Sequence, residues 1–431
     1  MCTSSRKIYG RALVGVDVSS GLYQRYLYWL ISSSCFVVQL IVQISSGLVA
    51  PYLSDEFNLG PFYGNVLVSS VFFLHILMQV PAGLLIEKFG ARRVLGIGAS
   101  ISFVGALLFS FSAGFFSAIM TRMLMGVGLS CSFVGITSII GGWFPSHQFT
   151  LMVSLAEMLG LLIGAIAEHW LPQVLQQYSW RVFFKGVSLA CLLLSLVILL
   201  FLRNGQQAQE IMQENDALTH LKLAIKNWRL WVNGLYSGAL FAVVTGFVAG
   251  DATQMLAAMP GWDLASAADF CAVIMYGVVI GSGIMGWVSS RFTHREILTL
   301  MTAAAFVSAM SIAAVIWLGS EFMILRAVAC LVLGIFTSAY LLSFRVLADW
   351  MNMGKGRNVL IGFTNMLSVL PGPVFSVLAG FIQRIQLEGQ AQVILESQVD
   401  LHGFQLTNSL FIAVLVLGSF LAFMLLRTRA D

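Results

Sequence analysis

Apolar residues run along this chain in long unbroken blocks, separated by short clusters of charge, Gly, Pro and Asn. A helix rises 1.5 Å per residue, so about 20 apolar residues cross the ~30 Å hydrocarbon layer of a bilayer. Twelve blocks reach that length: 26–50, 62–86, 93–113, 116–141, 149–170, 182–202, 229–250, 267–289, 297–318, 321–344, 358–382 and 406–426. They are too long and too evenly apolar for barrel strands, which alternate with a period of two. The pattern predicts an all-α, polytopic membrane protein with twelve transmembrane helices.

Composition narrows the class. Hydrophobic residues make up 58% of the 431 and charged residues only 10%, against roughly 45–50% and 25% in a soluble domain. A soluble enzyme, a disordered chain and a nucleic-acid-binding domain are excluded, because too little polar surface exists to cover the apolar atoms. Charge then sets the orientation. Short loops with excess Lys and Arg stay on the cytoplasmic side. With both termini inside, 18 of the 23 Lys and Arg fall on that side, and only Arg181 and Arg384 fall on the other. Arg122, Lys185 and Arg326 lie within spans. The expected topology is therefore N-in and C-in.

The longest polar stretch separates spans six and seven. It divides the chain into a cytoplasmic tail (1–25), an N-terminal six-helix bundle (26–203), a linker with a short amphipathic helix near 217–227 (204–228), and a C-terminal six-helix bundle (229–431). The six cysteines are scattered and none forms a CxxC, so no disulfide, metal site or cofactor is expected. Arg6, Lys7 and Arg11 are not followed by a short apolar region with a cleavage site, so no signal peptide is expected either.

The two halves repeat at an offset of roughly 202–208 residues. Trp29 matches Trp231, Gly83 matches Gly286, Arg122 matches Arg326, and Ala156-Glu157-Met158-Leu159 matches Thr364-Asn365-Met366-Leu367. Two parallel six-helix repeats about an axis along the membrane normal, with a solute site between them, form one of the transporter plans. The run Gly83-Leu-Leu-Ile-Glu87-Lys88-Phe-Gly90-Ala-Arg92-Arg93-Val-Leu95 and the segment Arg122-Met-Leu-Met-Gly126-Val-Gly128 add specific motifs. Together with Trp143-Phe144-Pro145 and Trp180-Arg181, they make the chain resemble the major facilitator superfamily over essentially its whole length. Glu87 stands where that family usually has Asp, and Lys88 where it has Arg.

The resemblance implies two pseudo-symmetric bundles, a central cavity lined by spans one, four, seven and ten, and gating by the loop between spans two and three. It places Gly83, Glu87, Lys88, Gly90, Arg92 and Arg93 in that gate, with Glu87 latching onto the N-terminus of span eleven at Gly356-Arg357-Asn358. A plain basic turn that sets topology is the competing reading. In the second half, Ser290 replaces the acid and Thr293 the glycine, so the matching latch against span five should be weak or absent.

Ionisable groups inside spans are costly and default to function. Arg122 and Arg326 are expected to face each other across the cavity, where two guanidiniums would clamp a carboxylate or phosphate. The alternative for Arg122 is a scaffold role, bonded to helix carbonyls. Glu157, the only acid deep in a span, is the candidate for proton coupling, with His75 in the same relay. Both have structural alternatives: a protonated interhelical hydrogen bond, and a neutral packing histidine. Gln39, Gln43, Tyr236 and Tyr340 are candidates for lining the polar cavity. Pro371-Gly372-Pro373 must break or kink span eleven, as a hinge or a site-lining break. Lys185 is expected to snorkel.

The expected function is secondary active transport of a small polar, carboxylate-bearing organic solute by alternating access, with proton-coupled import. Export of an organic anion or siderophore, and drug:proton antiport, are alternatives. Span five retains Gly160-xxx-Gly164 but lacks the Pro and Gly-Gly of the family's antiporters. A polytopic membrane enzyme is disfavoured because HExxH and GxSxG are absent, and ATP-driven transport because GxxxxGK[ST] is absent. Expected partners are the small-molecule solute, protons and membrane lipid, around a monomer in a bacterial inner membrane.

Overall fold

The computed structural model describes residues 18–205, 217–319, 321–351, 356–375, 377–378, 381 and 401–428. Cys2, Arg6, Lys7, Arg11, residues 206–216 of the expected linker and Arg384 lie outside the described residues. Twelve described helices are long and apolar enough to cross a membrane: Tyr23–Phe57, Phe62–Phe89, Ala91–Phe109, Phe115–Trp143, Ser146–Ala167, Trp180–Phe201, Trp228–Ala249, Ser266–Ser289, His294–Trp317, Met323–Trp350, Arg357–Phe375 and Phe404–Arg427. They are spans one to twelve below. A short helix, Ala217–Lys226, precedes span seven. No strand occurs among the described residues.

Helix limits follow the apolar blocks closely, with two instructive extensions. Span one runs past its apolar block to Phe57, through Pro51. The added turn carries Leu53, which is fully buried, and Glu56, which accepts hydrogen bonds from Trp180 Nε1 at 2.8 Å and Arg181 at 2.7 Å. Span ten continues to Trp350, where Arg345 and Asp349 pair one turn apart on the same helix. In both places a satisfied charge lets the helix outlast its hydrophobic run.

The repeat is visible in packing. Span two packs on span four and span eight on span ten; span three packs on six and nine on twelve; span one packs on five and seven on eleven. Span two also packs on span eleven, and span five on span eight, which joins the halves. Close approach recurs at matching sites. A side chain at Gly126 would collide with the Val71 carbonyl of span two, and one at Gly334 with the Ile274 carbonyl of span eight. Small residues at such crossings let backbones pack without a hydrophobic driving force. Both central spans are also interrupted at one level. Span four breaks at Ser130 and span ten takes a tight turn at Ser338–Leu341, each serine donating to the carbonyl three residues back at 2.6 Å.

Lys88, Arg92, Arg93, Arg203, Arg291, Arg345 and Arg357 gather at one end of the bundle, called the basic face below.

Candidate functional site

At the basic face the chain turns between spans two and three on Gly90, whose φ of +80° suits glycine. Arg92 fixes this turn to span six: its backbone N–H donates to Asn204 Oδ1 at 2.9 Å, and its guanidinium bonds the Leu199 carbonyl. Lys88 and Arg93 are exposed, with Lys88 over the Phe89 ring. Glu87 is buried, and its Oε1 accepts the Asn358 backbone N–H of span eleven at 3.0 Å. That amide is among the unpaired donors at a helix start, where negative charge is favoured. Gly83 allows this crossing, since a Cβ there would lie 2.5 Å from the Asn358 carbonyl oxygen. Next to it Arg357 is buried between spans four and five of the other half, donating to the Ser138 carbonyl at 3.4 Å and stacking over Phe149.

The matching place in the second half is open. Ser290 is exposed, and its hydroxyl donates to Trp287 of its own helix. A cleft of about 390 Å³ separates Ser146 and His147, at the start of span five, from Ser289, Ser290 and Arg345. Asp349 holds both Arg345 and His294, the latter at 2.8 Å. The acid of this half therefore braces spans nine and ten within the half, away from span five.

At mid-depth Glu157 of span five is buried and lies beside the Tyr340 hydroxyl of span ten, across the boundary of the halves. Its Oε2 meets no protein donor. One turn towards the basic face, Phe133 of span four meets Phe344 of span ten with ring centroids 5.0 Å apart. Gln39 is buried with an unpaired Oε1, and Gln43 is half-buried. On span seven, Asn233 donates to the Ser343 carbonyl of span ten and leaves Oδ1 unpaired. Sequence reasoning passed over Asn233 because it weighed ionisable groups first; a lone Asn in an apolar block was the available signal.

The two span arginines are arranged alike, each within its own half. Arg122 is fully buried, bonds Ser46 Oγ of span one and the Val68 carbonyl of span two (3.2 Å), and lies over Phe109. Arg326 is fully buried, bonds the Leu318 and Gly319 carbonyls at the end of span nine, and lies over Trp262. The expectation that they face each other gives way to a different picture. One Nη of each is bound to hydroxyl or carbonyl oxygens of its own half, while Nε and the other Nη remain buried without a protein acceptor. Carbonyls freed at the end of span nine draw Arg326 there, whereas Arg122 is held by the Ser46 hydroxyl and a carbonyl within span two.

Tyr236 also departs from its expected place. Its hydroxyl donates to the Met301 carbonyl of span nine at 3.1 Å, inside the second half. The helical phase of span seven turns it away from the boundary. His75 contacts Gln79 at 2.8 Å on its own helix and is buried where span two crosses span four at Gly126. Lys185 is exposed over Phe111, as a snorkelling side chain would be.

Span eleven is regular to Val369, turns at Leu370, and resumes as helix at Pro371-Gly372-Pro373. The break packs on span seven, where Gly238 admits Pro371 and Thr245 meets Gly372. Span seven itself widens there into a π-helical stretch, Val243–Asp251. Such stretches concentrate at functional sites. The sequence offered no comparable sign of it.

D-xylose transporter of Levilactobacillus brevis is 27% identical over 151 residues, 34% of this chain and 33% of its own. Uncharacterized transporter YybO of Bacillus subtilis (strain 168) is 22% identical over 287 residues, covering 62% of this chain and 66% of its own. Probable sulfoacetate transporter SauU of Cupriavidus necator is 22% identical over 278 residues, 60% and 64%. The chain thus spans less than two thirds of the length of these curated relatives. Among solved structures, the transporter FucP in its outward conformation is similar with a TM-score of 0.66 at 16% identity, over 92% of this chain and 99% of that one. A bacterial homologue of the lysosomal transporter Spinster gives 0.64 at 16% identity, over 94% and 97%. The family model described as Major Facilitator Superfamily matches residues 31–376. Twelve spans, a repeated packing scheme and a buried acid on the span-eleven N-terminus agree with that match: the chain is an integral, multi-pass membrane protein and belongs to the major facilitator superfamily.

Proposed function

We propose that this transporter moves a small organic anion together with a proton, by alternating access between its two six-span halves, 26–203 and 229–431. One observation carries the reading: Glu157, a buried carboxyl, lies beside Tyr340 at the boundary of the halves, with an oxygen that no protein donor meets. A carboxyl in low dielectric changes its proton occupancy when water or a charged solute reaches it. A group at the seam of the moving parts is wetted from one side and then the other, which is what coupling requires.

The preference for an anion comes from Arg122 and Arg326. Each is a buried cation with two donor nitrogens that no protein acceptor meets. Burying such a group without an acceptor is costly, and a carboxylate entering the protein supplies the acceptors. Gln39, Gln43 and Asn233 add uncharged hydrogen-bonding capacity. A probable sulfoacetate transporter and a probable anion transporter among the relatives fit this class, and a D-xylose transporter fits the small polar solute more broadly. The positive-inside bias of the basic face favours placing it in the cytoplasm of a bacterium, with the protein a monomer in the inner membrane.

The test is uptake of labelled small carboxylates into proteoliposomes. Acidifying the compartment that holds the solute should raise accumulation, because each solute enters with a proton. Accumulation indifferent to an imposed pH gradient would contradict the coupling. Transport confined to neutral or cationic solutes would contradict the anion.

A further inference from the structure

A cavity of about 610 Å³ opens at the basic face among the ends of spans seven, nine, ten and twelve, with every described lining residue in the second half. It is lined by Arg229, His294, Arg295, Trp350, Phe423 and Arg427, with small contributions from neighbouring leucines and Thr428. No carboxylate is among the described lining residues. The acids close by are engaged elsewhere. Asp349 holds His294 and Arg345, and Glu296 caps span nine through Thr293. Arg295 and Arg427 thus bring positive charge to the cavity, and no described carboxylate lines it.

Its outer rim has a second property. On span twelve, Val416, Phe420 and Phe423 are exposed and precede Arg427 at spacings of four, three and four residues, so they form one stripe that ends on this arginine. On span nine, Arg295 heads a stripe that ends in the exposed Phe306 and Met310, eleven and fifteen residues on. Spans nine and twelve pack together, and each stripe starts from an arginine that lines the cavity, Arg295 on span nine and Arg427 on span twelve. A free inorganic anion would use only the arginines. A ligand with an anionic head and two apolar tails would use the whole surface.

We propose that this cavity binds the phosphodiester head of an anionic membrane lipid, whose acyl chains lie along the stripes of spans nine and twelve. Guanidinium groups grip phosphate oxygens in pairs, and an interfacial Trp and the Arg427–Phe423 stack, at 4.6 Å, hold the head at the level of the membrane surface.

The test is native mass spectrometry of the purified transporter in neutral detergent, offered equal amounts of phosphatidylglycerol and phosphatidylcholine. Wild type should retain the anionic lipid at least five-fold over the zwitterionic one. Arg295→Gln with Arg427→Gln should erase that preference, and Arg295→Lys with Arg427→Lys should keep most of it. Thermal unfolding in lipid-free neutral detergent serves as the folding control and should be the same in all three. Should the double Gln variant unfold there, the single Gln variants carry the test, each with a partial loss. Equal retention of both lipids by wild type, or an undiminished preference in the Gln variants, would overturn the proposal. So would stabilisation by inorganic phosphate alone equal to that by phosphatidylglycerol, which would assign the site to a soluble phosphate.

Discussion

Each candidate side chain here is defined by what its neighbours leave unfilled. Glu157 has a free oxygen at the seam of the halves, whereas Tyr236, equally buried, has its hydroxyl satisfied by Met301. Their substitutions should therefore behave differently. Glu157→Gln is expected to abolish accumulation driven by a pH gradient while leaving solute exchange at equilibrium, measured by counterflow in proteoliposomes. Tyr236→Phe should leave uptake affinity within two-fold and lower stability only by the ~0.6–2 kcal/mol of an interhelical hydrogen bond, measured by thermal unfolding. Arg122→Lys and Arg326→Lys should each raise the half-saturating solute concentration at least ten-fold, about 1.4 kcal/mol, because an ammonium lacks the planar fork that holds the home oxygens through one nitrogen and offers two more to a carboxylate. At this scale the sequence was half legible. A charge in an apolar block announces itself, so Arg122, Glu157 and Arg326 stood out. Where each points depends on helical phase and on which carbonyls a neighbouring span frees, and neither is written in the local residues.

The elements show an asymmetry that the repeat alone conceals. Spans two and eleven are tied by Glu87 on the Asn358 amide and by Arg357 inserted into the other half, while spans eight and five leave a cleft at Ser290. The decay of the second motif, Ser for acid, foretold this difference at the level of sequence. Glu87→Gln should thus cut the initial rate of transport at least five-fold, and Ser290→Ala should stay within two-fold, both measured by uptake at equal protein content. Gly83→Leu should cost more than either, since the Asn358 carbonyl leaves no room for a side chain. Equal effects of Glu87→Gln and Ser290→Ala would remove the asymmetry. Helix number and limits were legible because the bilayer fixes the length of an apolar block. The π-helical stretch of span seven, which lies against the Pro371-Gly372-Pro373 break, was not, because its own residues continue the apolar block without a distinguishing pattern.

As a whole, the molecule is two copies of one packing scheme joined by two crossed pairs, spans two with eleven and five with eight. Under the proposed alternating access, rocking about such joints would expose the seam to one face at a time, as the proposed proton coupling requires. Distances between spin-label pairs on the two faces test this directly. One pair at the exposed His147 and Ser290 spans the basic-face cleft, and another at the exposed Tyr63 and Val374 spans spans two and eleven at the opposite end. Solute and acid pH should lengthen one distance while shortening the other, and Glu87→Gln should shift the balance towards an open basic face. Two distances that stay fixed, or that rise and fall together, would contradict alternating access in this protein.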